Sequence, residues 1–434
     1  MTETPNMEAM FSMLEDEQLG VLLHRSTRES LSWDDFLRMR LPQGISAMDA
    51  WELLMGLRRA SAIYFPIPDV EDWVYWYTPT QQINASIALI ECMCRHGSSL
   101  HKAVSEASGQ QFLVRSRIDE SVAAVQLDGL LIPPEKTREM LSFDRAPKNA
   151  NERLISNTVA LVSRMDEYTT RPFSRELLME LHERVLEGVD VEQLQTTERR
   201  HGFGQEDFDE TLLAELADRQ IELICDYANG VTGDRFDHAI VRALIIRESL
   251  RGYRPLPVAS SSVARLAFAL YALKSGLPVL AALPISKTSL EWESGVRTIP
   301  SCTESSTFHR VERYHEYDLT PFVTIATQLT LQAVQELGAH IERSLRRDQE
   351  VRAALQEDTL LNHRQRSIVG RALRNPNAEF QIRYHKTKHN IAYATARADL
   401  MTLAEMGYLV QEQRGKAFVF RSDPGIKSLL HLPE

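Results

Sequence analysis

A mainly α fold is what this sequence predicts. Three features carry that reading: apolar residues that recur every three or four positions, the capping and stop residues that punctuate them, and a change of pattern and charge near Leu361. Extended character is confined to an aromatic run around Trp73 and a pair of apolar strands after Tyr408. The expected organisation is an N-terminal α+β extension over residues 1–110, a helical domain over 111–350 and a C-terminal module of helices and a β-ribbon over 355–434. With 434 residues the chain is long enough for two to four domains.

In chain order, MDAWELLMGLRRASAIYF has a helical period and breaks at Pro66 and Pro68. VEDWVYWYTP follows as a strand. Gln81 to Arg95 is a helix stopped by His96-Gly97-Ser98-Ser99. FLVRSRIDESVAAVQLDG spaces Phe112, Leu113, Ile118, Val122, Val125 and Leu127 as a helix, and PPEKTREML starts another with prolines where a missing N–H costs nothing. NERLISNTVALVSRMDEY, SRELLMELHERVLEG and TLLAELADRQIELICDYANG are three more. The second of these has Ser174 placed to cap and Gly188 to end it. Two apolar helices follow, Ala239–Gly252 and Ser262–Ser275, joined by a proline- and serine-rich loop. Ile240, Leu244, Ile245 and Leu250, with Leu266, Phe268, Leu270 and Tyr271, are their expected core faces. SKTSLEWESGVRTIPSCTESSTFH reads as a linking segment, and Asp318-Leu319-Thr320-Pro321 opens a long helix to about Asp348.

From Leu361 the pattern is a helix (LNHRQRSIVGRALRNP), a short basic segment (FQIRYHKTKHN), a helix (TARADLMTLAEMG) and two strands around a basic turn (YLVQEQRGKAFVFRS). Three helical pieces and a ribbon are the order of a winged helix-turn-helix. Between Leu361 and Ser422 eleven Lys/Arg face four acids, a net of +7, so the rest carries −18 of the chain's −11. A basic module on an acidic body fits nucleic-acid binding, and protein docking is the alternative. The expected recognition helix is Thr395–Met406. Tyr393, Thr395 and Arg397 are candidates for base contacts. Lys386, Lys388, Arg414 and Lys416 are candidates for phosphates.

The overall charge of −11 argues against a general nucleic-acid coat. No run of eighteen apolar residues occurs, and the acidic start lacks a signal-peptide core, so a cytoplasmic protein without a membrane partner is expected. Cys92, Cys94, Cys225 and Cys302 suit a reducing compartment. CMCRH lacks a second half at zinc spacing and reads as a buried structural helix, so no metal is expected.

The two central helices and their flanks carry a resemblance. NERLISNTVALVS, SRELLMELHERVLEG, HAIVRALII, GLPVLAALPISK, YDLTPF and the C-terminal LNHRQRSIVGRAL with ATARADLMTLAEMGYL resemble, in order, the Fic (Fido-domain) family of the long bacterial type with a C-terminal winged helix. The resemblance implies a Fic-type helical core and transfer of AMP from ATP to a target hydroxyl. It also sets the family signature H-P-F-x-D/E-G-N-G-R-x-x-R against Arg254 to Arg265, RPLPVASSSVAR, where only Pro255 and Arg265 match. Arg254 stands for the general base, and a guanidinium cannot accept a proton near neutral pH. Val258 stands for the acid that holds Mg²⁺ and offers no side-chain oxygen. Ala259 and Ser261 stand for glycines and disfavour a positive φ. Ser260 replaces the asparagine and Ser262 the first arginine. The family's inhibitory S/T-x-x-x-E-G corresponds to Ala124 and Asp128-Gly129, with the acid shortened. The family's hairpin flap has no alternating counterpart between Gly188 and Asp226.

A catalytically inactive Fic-fold regulator acting through its winged helix is therefore expected. An inhibitor or partner of an active Fic paralogue, and a divergent adenylyltransferase, stand as alternatives. No cofactor is expected. ATP or another nucleotide remains the alternative, at an anion site made by Arg254, Ser260, Ser261, Ser262 and Arg265. The ordinary roles of these residues come first: Arg265 pairing with a core acid, and the serines capping a helix. Asp226, Asp237 and His238 have capping or surface roles. A homodimer is expected on DNA.

Overall fold

A computed structural model describes the chain apart from residues 1–16, 30, 32, 42–44, 69–71, 131, 143–144, 195–209, 233–236, 257, 300–316, 359, 375–377, 415–416, 431 and 433–434. The described residues are mainly helical and fall into two compact units, Met1–Gly338 and Ala339–Glu434. No helix among them is long and apolar enough to cross a membrane.

The first unit starts with α1 (Glu17–Arg28), α2 (Trp33–Leu37) and α3 (Ala47–Ala60). Ser46 caps α3 by accepting from the Asp49 N–H. The helix expected through Phe65 ends at Ala60, because Ile63 and Tyr64 pair with Tyr77 and Trp76 as the short antiparallel strands β1 (Ile63–Tyr64) and β2 (Trp76–Tyr77). So short a ribbon is marginal by itself. It is tied down by residues far along the chain. The Trp76 N–H donates to Tyr317 O at 3.1 Å and the Leu319 N–H donates back to Trp76 O at 2.7 Å. The Thr78 N–H reaches Thr320 Oγ1, and buried Arg58 pairs with buried Asp318 at 3.3 Å. The α+β extension is thus part of the same unit as the helical core.

Then come α4 (Gln81–Cys94), α5 (Ser99–Ser105), α6 (Ala107–Leu127), α7 (Pro134–Ser142), α8 (Ala150–Val162), α9 (Arg175–Val185) and α10 (Glu210–Asn229). Thr80, Ser98, Asn149 and Ser174 cap α4, α5, α8 and α9 through side-chain oxygens. On α4, Cys94 is buried, and burial pushes its thiol up to about 12, whereas Cys92 is exposed. Cys302 lies outside the described residues.

The centre of the unit is α11 (Ala239–Tyr253) and α12 (Ser260–Lys274). Every residue of Ala243–Leu250 and Ser260–Leu270 is buried. Both helices are rich in apolar residues, and the charged groups they bury, Arg247, Glu248 and Arg265, are paired. Tyr271 is only half-buried. Next come α13 (Pro278–Ala282), α14 (Ile285–Glu293) and α15 (Thr320–Glu357). The stretch expected as a linker after Ser286 therefore begins inside a helix. Its N-cap position, Pro284, has no side-chain cap. The acceptor for its first N–H groups comes from elsewhere, as described below.

In the second unit the end of α15 supplies Val351 and Leu355 to a core with Val369, Leu400, Leu403 and Phe420. The division between the two units falls at Gly338, within α15. The order is α16 (His363–Arg374), β3 (Glu379–Gln381), α17 (Ile382–His389), α18 (Tyr393–Glu405), β4 (Leu409–Arg414), β5 (Ala417–Ser422) and α19 (Ile426–Leu429). The strands form an antiparallel sheet in the order β3-β5-β4, with Phe420 opposite both Phe380 and Gln411. The basic segment after Ala378 is thus a strand followed by a helix. Gly407, at φ +81°, ends α18 as only glycine does without strain.

Candidate functional site

The loop between α11 and α12 is bracketed by two non-glycine residues in the left-handed region, Arg254 at φ +48° and Ala259 at φ +59°. Ala259, expected to disfavour a positive φ, nevertheless adopts one. Ala259 keeps it, at a cost of roughly 1–2 kcal/mol, because buried helices on both sides fix where the loop must end. Ser261 is helical and needs no positive φ.

Three polar groups meet at the start of α12. The Ser261 N–H lies 3.1 and 3.2 Å from the two carboxylate oxygens of Asp128. Arg254 Nη2 lies 3.3 Å from Asp128 Oδ1. Asp128 is buried and sits at the C-cap of α6, where Gly129 at φ +80° turns the chain away. A carboxylate at that end of α6 opposes the helix dipole. The N-terminus of α12 and the Arg254 guanidinium compensate. Burial raises the Asp128 pKa, and Ser261 and Arg254 pull against that. Ala124, one turn back on α6, is fully buried. The N-terminal end of α12 is therefore occupied by a carboxylate of the chain itself.

Ser260 and Ser262 do not join this group. Ser260 Oγ donates to Leu256 O. Ser262 Oγ is buried without a hydrogen-bond partner among the described residues. Arg265 is fully buried and its Nε lies 2.8 Å from Glu120 Oε1. Its Nη2 donates to Ala281 O at 2.7 Å and to Leu283 O at 3.4 Å. Glu120 in turn accepts the Ser286 and Lys287 N–H groups at 2.8 and 3.0 Å, and so supplies the missing cap of α14. Arg265 thus belongs to a buried strut joining α6, α12, α13 and α14.

Val258 contributes through its backbone. His182 Nε2, on α9, lies 2.9 Å from Val258 O and must carry the proton to donate there. Burial lowers the His182 pKa, which favours the neutral ring. His238 caps α11 by accepting the Ile240 N–H, and buried Asp237 accepts from Tyr77 Oη at 3.1 Å and from Tyr227 Oη. Neither Glu120 nor His182 was singled out from the sequence. Glu120 stands two turns before Asp128 on one helix, which is the signal that was available.

No family model matches the chain, and no curated protein does. A solved structure described as a Fic family protein from Desulfovibrio desulfuricans G20 is similar, at 17% identity and a TM-score of 0.49, covering 80% of this chain and 98% of that one.

In the second unit Lys386 and Lys388 on α17, and Tyr393 and Arg397 on α18, are exposed, whereas Thr395 is half-buried. The exposed face at the start of α18 is Tyr393, Ala394, Arg397 and Ala398. Behind it, Asp399 is buried and accepts from Arg364, Asn362 and His385, the last at 3.0 Å. Burial would raise this carboxyl, but those donors hold it down at about 2. Arg414 ends β4, and Lys416 lies outside the described residues. The segment in which a flap would fall is likewise outside them from residue 195 to 209.

Proposed function

We propose that the chain is a catalytically silent Fic-fold protein whose output is DNA binding by its C-terminal unit, read as a winged helix. The observation that carries the first half is the occupied end of α12. Arg254 stands at the position of the general base and is held to Asp128, which also takes the Ser261 N–H. A nucleotide phosphate would have to displace a buried carboxylate to reach those donors, and no base would then be available to deprotonate a hydroxyl. Fusing these losses with an intact core leaves a scaffold, stiffened by Glu120 and Arg265, without the family's chemistry.

For the second half, support comes from element order and from charge. The helix–strand–helix–helix–strand–strand order with a three-stranded sheet is that of winged helices, in which the N-terminal residues of the last helix reach base edges. Small Ala394 and Ala398 beside exposed Arg397 let that face approach a groove closely. Lys386 and Lys388 supply phosphate contacts on the neighbouring helix.

Two assays test this. Labelled ATP incubated with the protein and a cell extract should leave no label on protein, and Arg254→His should not restore any. A gel shift at low salt with duplex DNA from the gene's own promoter should show binding. Transfer by the wild type, or binding unaltered in a Lys386→Ala, Lys388→Ala, Arg397→Ala variant, would falsify the corresponding half.

A further inference from the structure

The second unit gathers histidines where two of its helices meet. His385 and His389 lie one turn apart on α17, and His363 stands at the start of α16. The ring centroids of His385 and His389 are 4.8 Å apart, and those of His363 and His389 6.5 Å. α17 ends just past them at Asn390, in the left-handed region at φ +49°, and α18 begins three residues later at Tyr393. The cluster thus sits in the corner that aims the exposed start of α18. Histidine is the side chain whose ordinary titration falls between about pH 5 and 8.

The charges around the corner are lopsided. The carboxylate that meets the cluster is Asp399 of α18, 3.0 Å from His385 Nε2, and Arg364 of α16 already pairs with it at 2.8 Å. Arg371 of α16 and Lys388 of α17 line the same depression as His385 and His389. Glu379 of β3, the strand that leads into α17, is paired with Arg421 at 2.7 Å. A proton on His385 is matched by Asp399. A second proton, on His389, faces like charge from His385, Lys388, His363 and Arg364. Burial and those neighbours lower the His389 pKa, so the closed corner refuses a proton that an open one takes up.

We propose that the corner between α17 and α18 is a proton-sensitive latch, in which charging His389 beside His385, Lys388 and Arg364 loosens α17 from the start of α18. The sign is fixed by the geometry. Acid strengthens the His385–Asp399 pair and weakens the corner at His389, and the latch requires the second effect to win. A ring that the closed corner keeps uncharged makes opening up to about tenfold easier at pH 5.5 than at pH 7.5, for an ordinary pKa near 6.5. Asp399, held at about 2, stays charged throughout that interval. The latch belongs to the second unit alone and stands whatever that unit binds.

The test is amide exchange of the full chain at pH 7.5 and 5.5, read by mass spectrometry and corrected for the intrinsic effect of pH on exchange. Peptides spanning residues 383–398 should lose protection severalfold at pH 5.5, with about tenfold as the ceiling. Peptides from α12, which has no histidine, should not change. His389→Gln keeps a polar side chain that cannot titrate, and it should hold the loss below about twofold. Should that variant lack protection already at pH 7.5, His363→Gln, at an exposed position, takes its place and should lessen the loss. Unchanged or increased protection of the corner at pH 5.5 in the wild type overturns the proposal. So does an equal loss in α12, or a loss that neither substitution diminishes.

Discussion

Glu120 and Arg265 are the pair on which the scaffold reading can be put at risk. Glu120 is 1% exposed and Arg265 0%. Removing one partner of such a buried pair leaves an uncompensated charge and costs about 3–5 kcal/mol. Glu120→Ala also strips the acceptor from the Ser286 and Lys287 N–H groups, at about 1 kcal/mol or more each. The total is on the order of 5–6 kcal/mol, enough to unfold a domain of ordinary stability. Arg265→Met leaves Glu120 its two backbone donors, so it should cost less, about 3 kcal/mol. The double variant removes both charges and should fall short of the sum by about 2 kcal/mol, within the range for side chains in direct contact. Urea unfolding of the full chain followed by tryptophan fluorescence reads this well, because all five tryptophans lie in the first unit and Trp292 is on α14. An Arg265→Met variant as stable as the wild type, or a double variant that is simply additive, would refute the strut and return Arg265 to the list of free anion binders.

Four further outcomes are expected. Ala259→Gly should stabilise the chain by about 0.5–1 kcal/mol, since relief of the left-handed alanine outweighs the added freedom of the unfolded glycine; a loss of stability in the same urea assay counts against the loop geometry. Asp128→Ala should free the Ser261 N–H and Arg254, so that calorimetry detects phosphate or ATP binding in the variant and none in the wild type. Asp399 is depressed to about 2 from an ordinary value near 3.9. Its contribution to the second unit is therefore fully present above about pH 4 and is lost as pH falls through 2, which amide exchange of α18 across that interval should show. Lys386→Ala with Lys388→Ala should reduce the slope of log affinity against log salt by about 2 if each lysine neutralises one phosphate, and an unchanged slope removes them from the interface.

Several elements could be read locally and several could not. The cap and stop of α9 are both written within SRELLMELHERVLEG, and Ser174 does accept the Leu177 N–H at 3.2 Å. The burial of α11 and α12 is stated in part by their apolar residues, while Arg247, Glu248 and Arg265 are buried with them through pairing. By contrast α14 looked like a linker because its cap, Glu120, is far upstream and only tertiary structure brings it there. The same reach explains the candidate site. The sequence isolates Asp128-Gly129 and Arg254–Arg265 as segments and offers Arg265 a core acid as partner, but not that one segment plugs the other, nor that the acid is Glu120. Ala259 shows the limit of propensity. Its left-handed φ is imposed by the helices around it, against the preference of its own side chain.

A carboxylate held on the same chain cannot be diluted or washed out, and an incoming anion has to compete with it. Its local concentration is fixed by the fold, as for any tethered ligand. On the proposed reading the start of α12 rests with this carboxylate in place, and a nucleotide would bind there only by displacing it. Chelators and dialysis should leave the melting temperature of the purified protein where it was. On the same reading, a signal that acts on this end of the molecule would move α6, and so would arrive as a force on a helix.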